Sequence, residues 1–520
     1  MRINQTFRFL VVNLLLLTAL SSCNKDNIVS TTETGTEPTT LTGGDTIAVV
    51  FSSSSDATVS GASSSQSVSI DGNGVTIVNN SRTSIIYLLS GSTANGFLKI
   101  YSPKKQQIEL CGVSITNPNG AAINVQGITD SVSKGKTVYL VLNGSNELSD
   151  GTTYTNTPDG EDEKAALFSE GQIIISGTGS LTVTAKGKSG IASDDYVDIT
   201  GGTVTVNCTA STFVSGGDTT KVAGIKTNDA FTMADGILNV TCSGAGAKGL
   251  SGDGTALFGG GEVNITVTGS NFGSSGNSGQ GGGPGGHGGG PGGGNSSDNS
   301  VAAKGMKFDG NIVFNGGTVT VKSTNHEAVE SKSALTINGG HLFCYSSSDD
   351  AINAAGELTI NDGYVYAQSV GNDGIDANGN LYVNGGLVYA IGSSGAEQAL
   401  DANTEGGAKL YVSGGTLIAI GGLESGASLT QSCYQASTWS QNTWYALTVG
   451  GITYAFKTPS SGGSPLVVSG SSSSEPSLSR GVTATGGTSY FDGLLLEGAN
   501  VTGGTSVSLN SYTGSGGGWH

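Results

Sequence analysis

The chain of 520 residues is poor in charged side chains, which make up 12% of it, about half the share of an ordinary soluble protein. Coiled coils and long helical bundles need Glu, Lys and Arg in quantity, so this composition excludes them. The charges are also unbalanced, since 40 residues are acidic and 22 are basic, which leaves a net charge of −18. A nucleic-acid-binding surface needs a basic excess, and we therefore expect no nucleic-acid partner.

Cysteine, histidine and proline are scarce as well, with 6, 4 and 9 residues. Six cysteines in a chain of this length do not make a disulfide scaffold, and four separated histidines argue against a zinc site built from several imidazoles. The sequence carries no serine-hydrolase, P-loop or dinucleotide-binding motif. The enzyme classes that depend on such sites therefore receive no support from the sequence.

Glycine is abundant instead, with 87 residues, and much of it belongs to an internal repeat. A short strand, a Gly-Gly or Asp-Gly pair and a second strand recur, as in LTINGGHLFC, LTINDGYVYA and LYVNGGLVYA. The last glycine of the pair falls at positions 202, 236, 261, 317, 340, 363, 386 and 415, and the three central steps are 23 residues each.

A third short strand recurs in phase with the other two. Its apolar centre is Ile191, Ile225, Leu250, Met306, Val329, Ile352, Ile375 and Leu400. Three strands in about 23 residues, with no room for a helix, predict an all-β parallel β-helix of stacked coils. Equal inward positions, such as Leu335 and Leu358, would then form a continuous core. The repeat is lost from residue 424, where we expect a β-rich C-terminal cap.

The first residues have the pattern of a bacterial lipoprotein. Arg2 and Arg8 precede a short apolar run that ends at Leu20, and the following Ser-Ser-Cys resembles a lipobox with Cys23 as the lipidated residue. The alternative is an ordinary signal peptide with a chance cysteine. We predict an outer-membrane lipoprotein, exposed at the cell surface, that is held by its lipid anchor without spanning the membrane.

These features divide the chain into four segments. Residues 1–22 form the signal peptide, and 23–46 form a flexible Thr-rich tether. Residues 47–423 form the repeat domain, which a Gly-rich insertion interrupts at 271–300. Residues 424–520 form the β-rich C-terminal region. We expect the protein to be a monomer.

Charged residues flank the third strand and change sign along the repeat. Those two positions before its apolar centre are Lys248, Lys304, Glu327, Asp350, Asp373 and Gln398. Those one position after it are Lys226, Ser251, Lys307, Glu330, Asn353, Asp376 and Asp401. Identical register stacks like charges, which is destabilising unless the carboxylates are protonated, splayed apart or neutralised by a cation.

Oxygen ligands without histidine or cysteine suit calcium, which is the cofactor we predict. The best candidate ligands are Asp350, Asp373, Asp376 and Asp401. Weaker candidates are Glu327, Glu330, Asn353 and Asn378. The alternative is a solvated acidic turn region whose carboxylates point away from one another.

An aromatic ladder follows the Gly-Gly corner. Phe343, Tyr366 and Tyr389 occupy one repeat position, Tyr364 lies on the same face, and Tyr382 and Tyr411 face outward on the preceding strand. Exposed stacked rings form a platform for the apolar faces of sugars, which makes Phe343, Tyr364, Tyr366 and Tyr389 candidate substrate-binding residues. The alternative is that the C-terminal region or a loop covers the strip.

The 23-residue Gly-Gly repeats, the turns Asp350-Ala351-Ile352-Asn353 and Asn372 to Asn378, and the GGGPGGHGGGPGGG insertion together resemble a known family. It is a right-handed parallel β-helix carbohydrate-binding family first described from a cellulolytic clostridium. The resemblance spans roughly residues 100–425 and implies a pectate-lyase-like fold, bound calcium and binding of cellulose or pectin-type polysaccharides. Family calcium sites would map to the Asp and Asn residues of these turns.

Three functions remain open at this point. The first is a non-catalytic surface protein that binds polysaccharide with calcium. The second is a calcium-dependent polysaccharide lyase, in which Lys332 or Lys307 would remove a proton from a uronate; solvated lysines are the alternative, and the lack of arginine between Arg82 and Arg480 argues against this chemistry. The third is a structural or adhesive stalk in which calcium only joins coils.

Overall fold

The structure, a computed structural model, describes residues 39–514 apart from 82, 128–136, 156, 158–160, 274–299, 396 and 472–474. The predicted signal peptide, the predicted lipidation site Cys23, most of the predicted tether and most of the Gly-rich insertion lie outside the described residues. Within those residues the chain forms 48 strands and one short 3-10 turn, Thr404–Gly406. No helix of this described part is long and apolar enough to cross a membrane.

The strands are short and follow one another closely along the chain. The first fifteen are β1 (Asp45–Phe51), β2 (Thr58–Ser60), β3 (Gln66–Asp71), β4 (Asn73–Asn79), β5 (Ile85–Thr93), β6 (Gly96–Tyr101), β7 (Gln106–Cys111), β8 (Ser114–Thr116), β9 (Ile123–Gln126), β10 (Val138–Asn143), β11 (Ser145–Ser149), β12 (Ala165–Ser169), β13 (Ile173–Gly177), β14 (Ser180–Ala185) and β15 (Ser189–Ser193).

The middle of the chain contains the most regular strands. They are β16 (Val197–Cys208), β17 (Phe213–Ser215), β18 (Asp218–Thr220), β19 (Ala223–Thr227), β20 (Phe231–Cys242), β21 (Lys248–Gly252), β22 (Ala256–Phe258), β23 (Glu262–Val267), β24 (Met306–Phe308), β25 (Ile312–Phe314), β26 (Thr318–Ser323), β27 (Val329–Ser331), β28 (Leu335–Ile337), β29 (His341–Ser346), β30 (Ile352–Ala354), β31 (Leu358–Ile360) and β32 (Tyr364–Ser369).

The remaining strands complete the repeat and form the C-terminal region. They are β33 (Ile375–Ala377), β34 (Leu381–Val383), β35 (Leu387–Ile391), β36 (Leu400–Ala402), β37 (Leu410–Val412), β38 (Thr416–Ile420), β39 (Ser428–Leu429), β40 (Cys433–Ala436), β41 (Trp444–Val449), β42 (Ile452–Lys457), β43 (Leu466–Ser469), β44 (Ser477–Thr485), β45 (Thr488–Tyr490), β46 (Leu495–Glu497), β47 (Asn500–Val507) and β48 (Asn510–Tyr512).

The strands assemble into four sheets of 27, 13, 6 and 2 strands. The 13-stranded sheet runs in the order β3-β4-β6-β9-β12-β15-β19-β21-β24-β27-β30-β33-β36. Its strands are parallel except for the antiparallel pair β3–β4. The 6-stranded sheet consists of strands from β41 to β47 and is antiparallel.

The predicted three-strand repeat is confirmed where its spacing is regular. From β24 to β35 each group of three strands pairs in parallel with the next group at the same repeat positions. Leu335, Leu358, Leu381 and Leu410 are register neighbours, and all four are fully buried. Burying one such side chain stabilises a fold by about 1.5–3 kcal/mol, so the inward ladder is a large part of the core.

The fold class predicted from the sequence, a right-handed parallel β-helix with three strand ladders in each coil, is wrong for the chain as a whole. The structure is all-β, but two of the ladders are joined into one 27-stranded sheet, and antiparallel strands are added to it. The joining has a local cause, because β16 and β20 each run for 12 residues through the Gly-Gly corner without a break. A shift of register at Ile199 and Thr200 absorbs the bend.

The glycine of the corner is required by conformation and by space. Gly386 has φ +76°, a left-handed value that other residues adopt at a cost. A Cβ atom on Gly386 would lie 2.5 Å from the carbonyl oxygen of Gly363 in the neighbouring layer. The repeat of glycine at this position therefore allows the layers to approach closely.

Antiparallel strands lie at both ends of the 27-stranded sheet. At the start β2 pairs antiparallel with β1, and at the other end β43 pairs antiparallel with β38. The described residues of 424–512 contain strands β39 to β48, and the hydroxyl of Tyr512 donates a hydrogen bond to the carbonyl of Leu423 at 3.0 Å.

Candidate functional site

The 13-stranded sheet carries a face on which the charge changes sign along the stack. The predicted register is confirmed, because Lys226, Ser251, Lys307, Glu330, Asn353, Asp376 and Asp401 are successive partners on β19, β21, β24, β27, β30, β33 and β36. A parallel bridge between Leu400 and Leu423 brings Glu424 to the end of this row. The basic end and the acidic end are therefore parts of one surface.

The acidic end is a stack of carboxylates that are largely removed from solvent. Asp350 and Asp373 are each 4% exposed. One Asp350 oxygen accepts the backbone N–H of Asp373 at 3.1 Å, and Asp373 accepts the backbone N–H of Gln398 at 2.5 Å. The amide of Asn353 donates to both Asp350 and Asp376, at 2.9 Å in each case. These contacts satisfy some of the oxygens without supplying a positive charge.

The ionised form of these groups is strongly disfavoured. Burial, followed by the charge of Asp376, raises the pKa of Asp350 to about 8. Burial, followed by the charge of Asp401, raises the pKa of Asp373 to about 9 and that of Asp376 to about 7. Burial and a hydrogen bond with Asp401 raise the pKa of Glu424 to about 8. A bound cation would reverse this penalty, which is the electrostatic signature expected of a metal site.

The geometry fits such a cation only in part. The predicted ligands Asp350, Asp373, Asp376 and Asp401 supply the oxygen chemistry of calcium. Among the described residues, however, they do not bring three ligand atoms within 4.8 Å of one another, whereas His326, Glu327 and Asp349 do. Backbone carbonyls, water or ligand oxygens would have to complete the coordination. Asn378, another predicted ligand, is exposed on the turn after β33.

Glu327 and Glu330, the weaker predicted calcium ligands, are used in ion pairs instead. The ammonium of Lys304 lies 3.1 Å from Glu327 and 2.5 Å from Glu330. His326 contacts Glu327 and lies 2.8 Å from Asp349. Although burial opposes it, hydrogen bonding to these two carboxylates raises the pKa of His326 to about 9. The positive charges of His326 and Lys304 thus lie against these carboxylates.

The basic end surrounds a cavity of about 600 Å³. Eight lysines and five carboxylates line it. Lys226, Lys248 and Lys307 come from the 13-stranded sheet, and Lys221 follows β18. Since the protein as a whole has a charge of −18, this concentration of lysines is a local reversal of the overall charge.

The two lysines predicted as lyase bases, Lys307 and Lys332, lie in this cavity. Both form ion pairs, Lys307 with Asp309 and Lys332 with Glu330. Each ion pair favours the protonated ammonium, whose nitrogen has no free lone pair to accept a proton, so these contacts argue against a role as a base.

The aromatic strip predicted to bind sugars is covered by the C-terminal region. Tyr366 is 2% exposed and Tyr389 is 0% exposed. The hydroxyl of Tyr389 donates to the carbonyl of Lys457 at 2.9 Å, and Phe456 packs against its ring at 5.5 Å. The prediction that Tyr366 and Tyr389 bind substrate is therefore wrong, because the apolar rings gain more by packing under β41 and β42 than by facing water.

The two outer members of that strip are only half-buried. Phe343 stacks on Tyr366 at 4.7 Å, and Lys322 lies over its ring at 5.2 Å. Tyr364 stacks on Tyr490 at 4.2 Å, and its hydroxyl donates to Glu497 at 3.1 Å. Both rings are thus engaged at the rim of the C-terminal sheet.

A different aromatic pair remains accessible. Tyr382 on β34 and Tyr411 on β37 stack with their centroids 4.8 Å apart and their planes 9° from parallel. Both side chains are half-exposed, and Asn380 donates a hydrogen bond to the hydroxyl of Tyr382 at 3.0 Å. The sequence pattern predicted that both rings face outward. In the structure they form a flat, accessible apolar surface, whereas the strip around Tyr366 and Tyr389 is covered.

Comparison with known proteins identifies the family. A family model described as "Carbohydrate-binding domain-containing protein" matches residues 71–372, more than half of the chain. The chain belongs to this family of carbohydrate-binding domain-containing proteins. A relative with the same description, from Acetivibrio thermocellus, is 32% identical over 124 residues, which are 23% of this chain and 42% of the relative. The alignment therefore spans less than half of that relative.

A solved structure is similar to this carbohydrate-binding domain-containing protein over a longer stretch. It is described as the polysaccharide lyase-like protein from C. thermocellum, as a gadolinium derivative. The alignment covers 64% of this chain and 96% of the other, with 18% identity and a TM-score of 0.35. The family match contains the cavity lysines and Asp350, and it ends one residue before Asp373.

Two features of the site were missed from the sequence. His326 and Asp349 are 23 residues apart, so the repeat step alone would have placed them as neighbours, and it would also have added Asn372, which donates to Asp349 at 3.1 Å. By contrast, Lys164 and Lys188 reach the cavity from the irregular part of the chain. No periodicity connects them with Lys248, so the sequence contains no signal for this convergence.

Proposed function

We propose that this protein is a surface-anchored, non-catalytic binding protein that holds acidic polysaccharide in a calcium-dependent manner. The observation that carries the proposal is the stack of Asp350, Asp373 and Asp376, whose pKa values are all raised by burial and by neighbouring carboxylates. None of the three has a positively charged partner among the described residues. A calcium ion there would neutralise the stack, and carboxylates of a uronate chain would complete its oxygen coordination. Pectin and polygalacturonate are glycans of this kind.

The chain's own residues have distinct parts in this scheme. Asp350 and Asp373 would supply buried ligands that the neighbouring backbone orients. Asp376 and Asp401 are half-exposed and would face the glycan. Asn353 would turn its amide so that its oxygen, rather than its nitrogen, faces the ion. Cys23, as the lipidated residue, would place this surface outside the outer membrane.

Neutral, cellulose-like chains would bind elsewhere. The stacked rings of Tyr382 and Tyr411 present a flat apolar surface of the kind on which sugar rings pack. Asn380 and the exposed amides of Asn361 and Asn384, which are joined by a 3.0 Å hydrogen bond, lie at the neighbouring corner. They offer donors and acceptors to sugar hydroxyl groups.

Titration of the full chain with polygalacturonate, with and without calcium, tests the proposal. Calcium-dependent binding with unchanged ultraviolet absorbance is the expected result. A rise in absorbance from the unsaturated product of β-elimination would replace the binding protein by a lyase. A calcium-induced rise in melting temperature without binding of any glycan would leave only a structural stalk.

A further inference from the structure

The lysine-lined cavity has features of a ligand site in its own right. Eight of the 22 basic residues of the chain line this one cavity of about 600 Å³. It lies on the matched part of the chain, between the loop that contains Lys164 and the strands β19, β21 and β24. This volume is within the range of pockets that hold small ligands or one to two sugar units.

Most of the carboxylates in the cavity wall already have partners. Glu161 and Glu163 pair with Lys99, at 2.9 and 3.0 Å. Asp162 pairs with Lys164 at 3.1 Å, while Glu330 pairs with Lys304 and Lys332. These carboxylates therefore do not neutralise the remaining lysines.

Four lysines of the cavity have no ion pair among the described residues: Lys188, Lys221, Lys226 and Lys248. Lys188 donates to the backbone carbonyl of Glu163 and Lys221 is exposed, which leaves Lys226 and Lys248 as the partly or fully buried ones without a partner. Lys248 is only 6% exposed, and a buried ammonium without a counter-ion is costly. Burial, followed by the positive charges of Lys304, Lys221 and Lys307, lowers the pKa of Lys248 to about 7. Burial also lowers the pKa of Lys226. An anion in the cavity would remove the unfavourable energy of both groups.

We propose that this cavity binds the anionic groups of a glycan, carboxylate or sulfate ester, directly through Lys226 and Lys248 and without a metal ion. The proposal rests on the proposed function, because it names a second way in which the same face of the protein holds an acidic chain. Lys248 on β21 is four strands from Asp373 beside β33, which corresponds to about 19 Å at the usual strand spacing. An extended acidic chain of a few sugars spans that distance and reaches both ends of the face.

The experiment measures binding of the full chain to three polymers, dextran sulfate, polygalacturonate and uncharged dextran, in a metal chelator and then in calcium. The test variant is the double substitution Lys226→Gln and Lys248→Gln, and Lys409→Gln is the matched control at an exposed lysine outside the cavity. Lys248→Arg keeps the charge, so it reports whether charge rather than the particular side chain is needed. Thermal unfolding of each variant shows that it is folded.

In chelator we expect the unmodified protein to bind an acidic polymer but not uncharged dextran. Binding of the acidic polymer should weaken as salt is added. The double variant should lose at least tenfold in affinity, while Lys409→Gln and Lys248→Arg retain it. Binding of dextran sulfate alone would identify sulfate esters as the ligand groups, and binding of polygalacturonate alone would identify carboxylates.

The inference is overturned if no acidic polymer binds in chelator, or if the double variant and Lys409→Gln lose affinity equally. Calcium-dependent binding of polygalacturonate that persists in that case leaves the proposed function intact. The reverse result separates the two proposals in the other direction. If the protein does not bind polygalacturonate in calcium but still binds dextran sulfate without metal, the calcium proposal fails and the cavity remains an anion-binding site.

Discussion

Asp350 accepts a hydrogen bond from the backbone N–H of Asp373 at 3.1 Å, yet its negative charge also raises the pKa of Asp373. The repeat produces this conflict, since equal positions of successive layers are held at strand spacing. The backbone contact holds Asp373 in place while its carboxylate remains without a counter-charge.

Stability without metal should fall as the pH rises from about 4 to about 9. The folded protein holds protons on Asp350 and Asp373, with pKa values of about 8 and 9, which an unfolded chain releases near pH 4. The unfolded state therefore binds fewer protons in this interval, and the free energy of unfolding decreases. His326 acts in the same direction, because its pKa of about 9 lies above that of an unfolded histidine.

Urea unfolding at pH 5 and pH 8 in a chelator measures this dependence. We expect a loss on the order of 2 kcal/mol or more, and calcium at pH 8 should restore it. A stability that is flat over this range, or unaffected by calcium, would contradict the stacked-carboxylate account.

Asp373→Asn should raise the melting temperature in chelator at pH 8 and remove most of the calcium-induced rise. The amide keeps an oxygen to accept the backbone N–H of Gln398 but adds no negative charge. Differential scanning calorimetry provides the measurement. Glu405→Gln, an exposed carboxylate in the 3-10 turn, is the control and should leave both values unchanged; equal effects of the two variants would exclude a special role for Asp373.

Gly386→Ala should destabilise the fold by about 2–4 kcal/mol, because it combines a left-handed backbone with a Cβ contact of 2.5 Å to the carbonyl of Gly363. Gly407→Ala separates these two causes, since Gly407 has φ +87° but nothing within 4 Å of its added Cβ. That control should cost only about 1 kcal/mol. Urea midpoints that are equal for the two variants would show that layer contact at Gly386 is unimportant.

Replacing both Tyr382 and Tyr411 by Ala should weaken binding of a soluble neutral β-glucan about tenfold, which corresponds to the loss of two stacking rings. Calcium-dependent binding of polygalacturonate should be unchanged. Tyr389→Phe is the control in the covered strip, where it removes only the hydrogen bond to Lys457. Isothermal titration measures both ligands, and loss of neutral-glycan binding in Tyr389→Phe alone would place that site at the covered strip after all.

The regular repeat explains which parts of this structure were predictable. The step of 23 residues correctly aligned Glu330, Asn353 and Asp376, because a strand period of two and a fixed coil length determine the register. The same step correctly made Leu335 and Leu358 part of the core.

Other features depend on contacts between segments that share no period. The continuous strands β16 and β20 join two ladders into one sheet. They depend on a local bulge that no motif in the sequence indicates. The burial of Tyr389 depends on Phe456, which lies in the region without repeats. The convergence of Lys164 with Lys248 depends on how an irregular loop meets the regular face.

The reversed strands at the two ends of the large sheet affect how separate molecules meet. A stack of parallel strands is open-ended, so another copy could continue it and build a fibre. Here β2 runs against the stack at one end, and at the other end β43, β40 and β48 follow β38 in successive antiparallel pairs. An incoming copy in the same orientation cannot continue the parallel register at β2 or beyond β38, so these reversed strands work against end-to-end polymerisation.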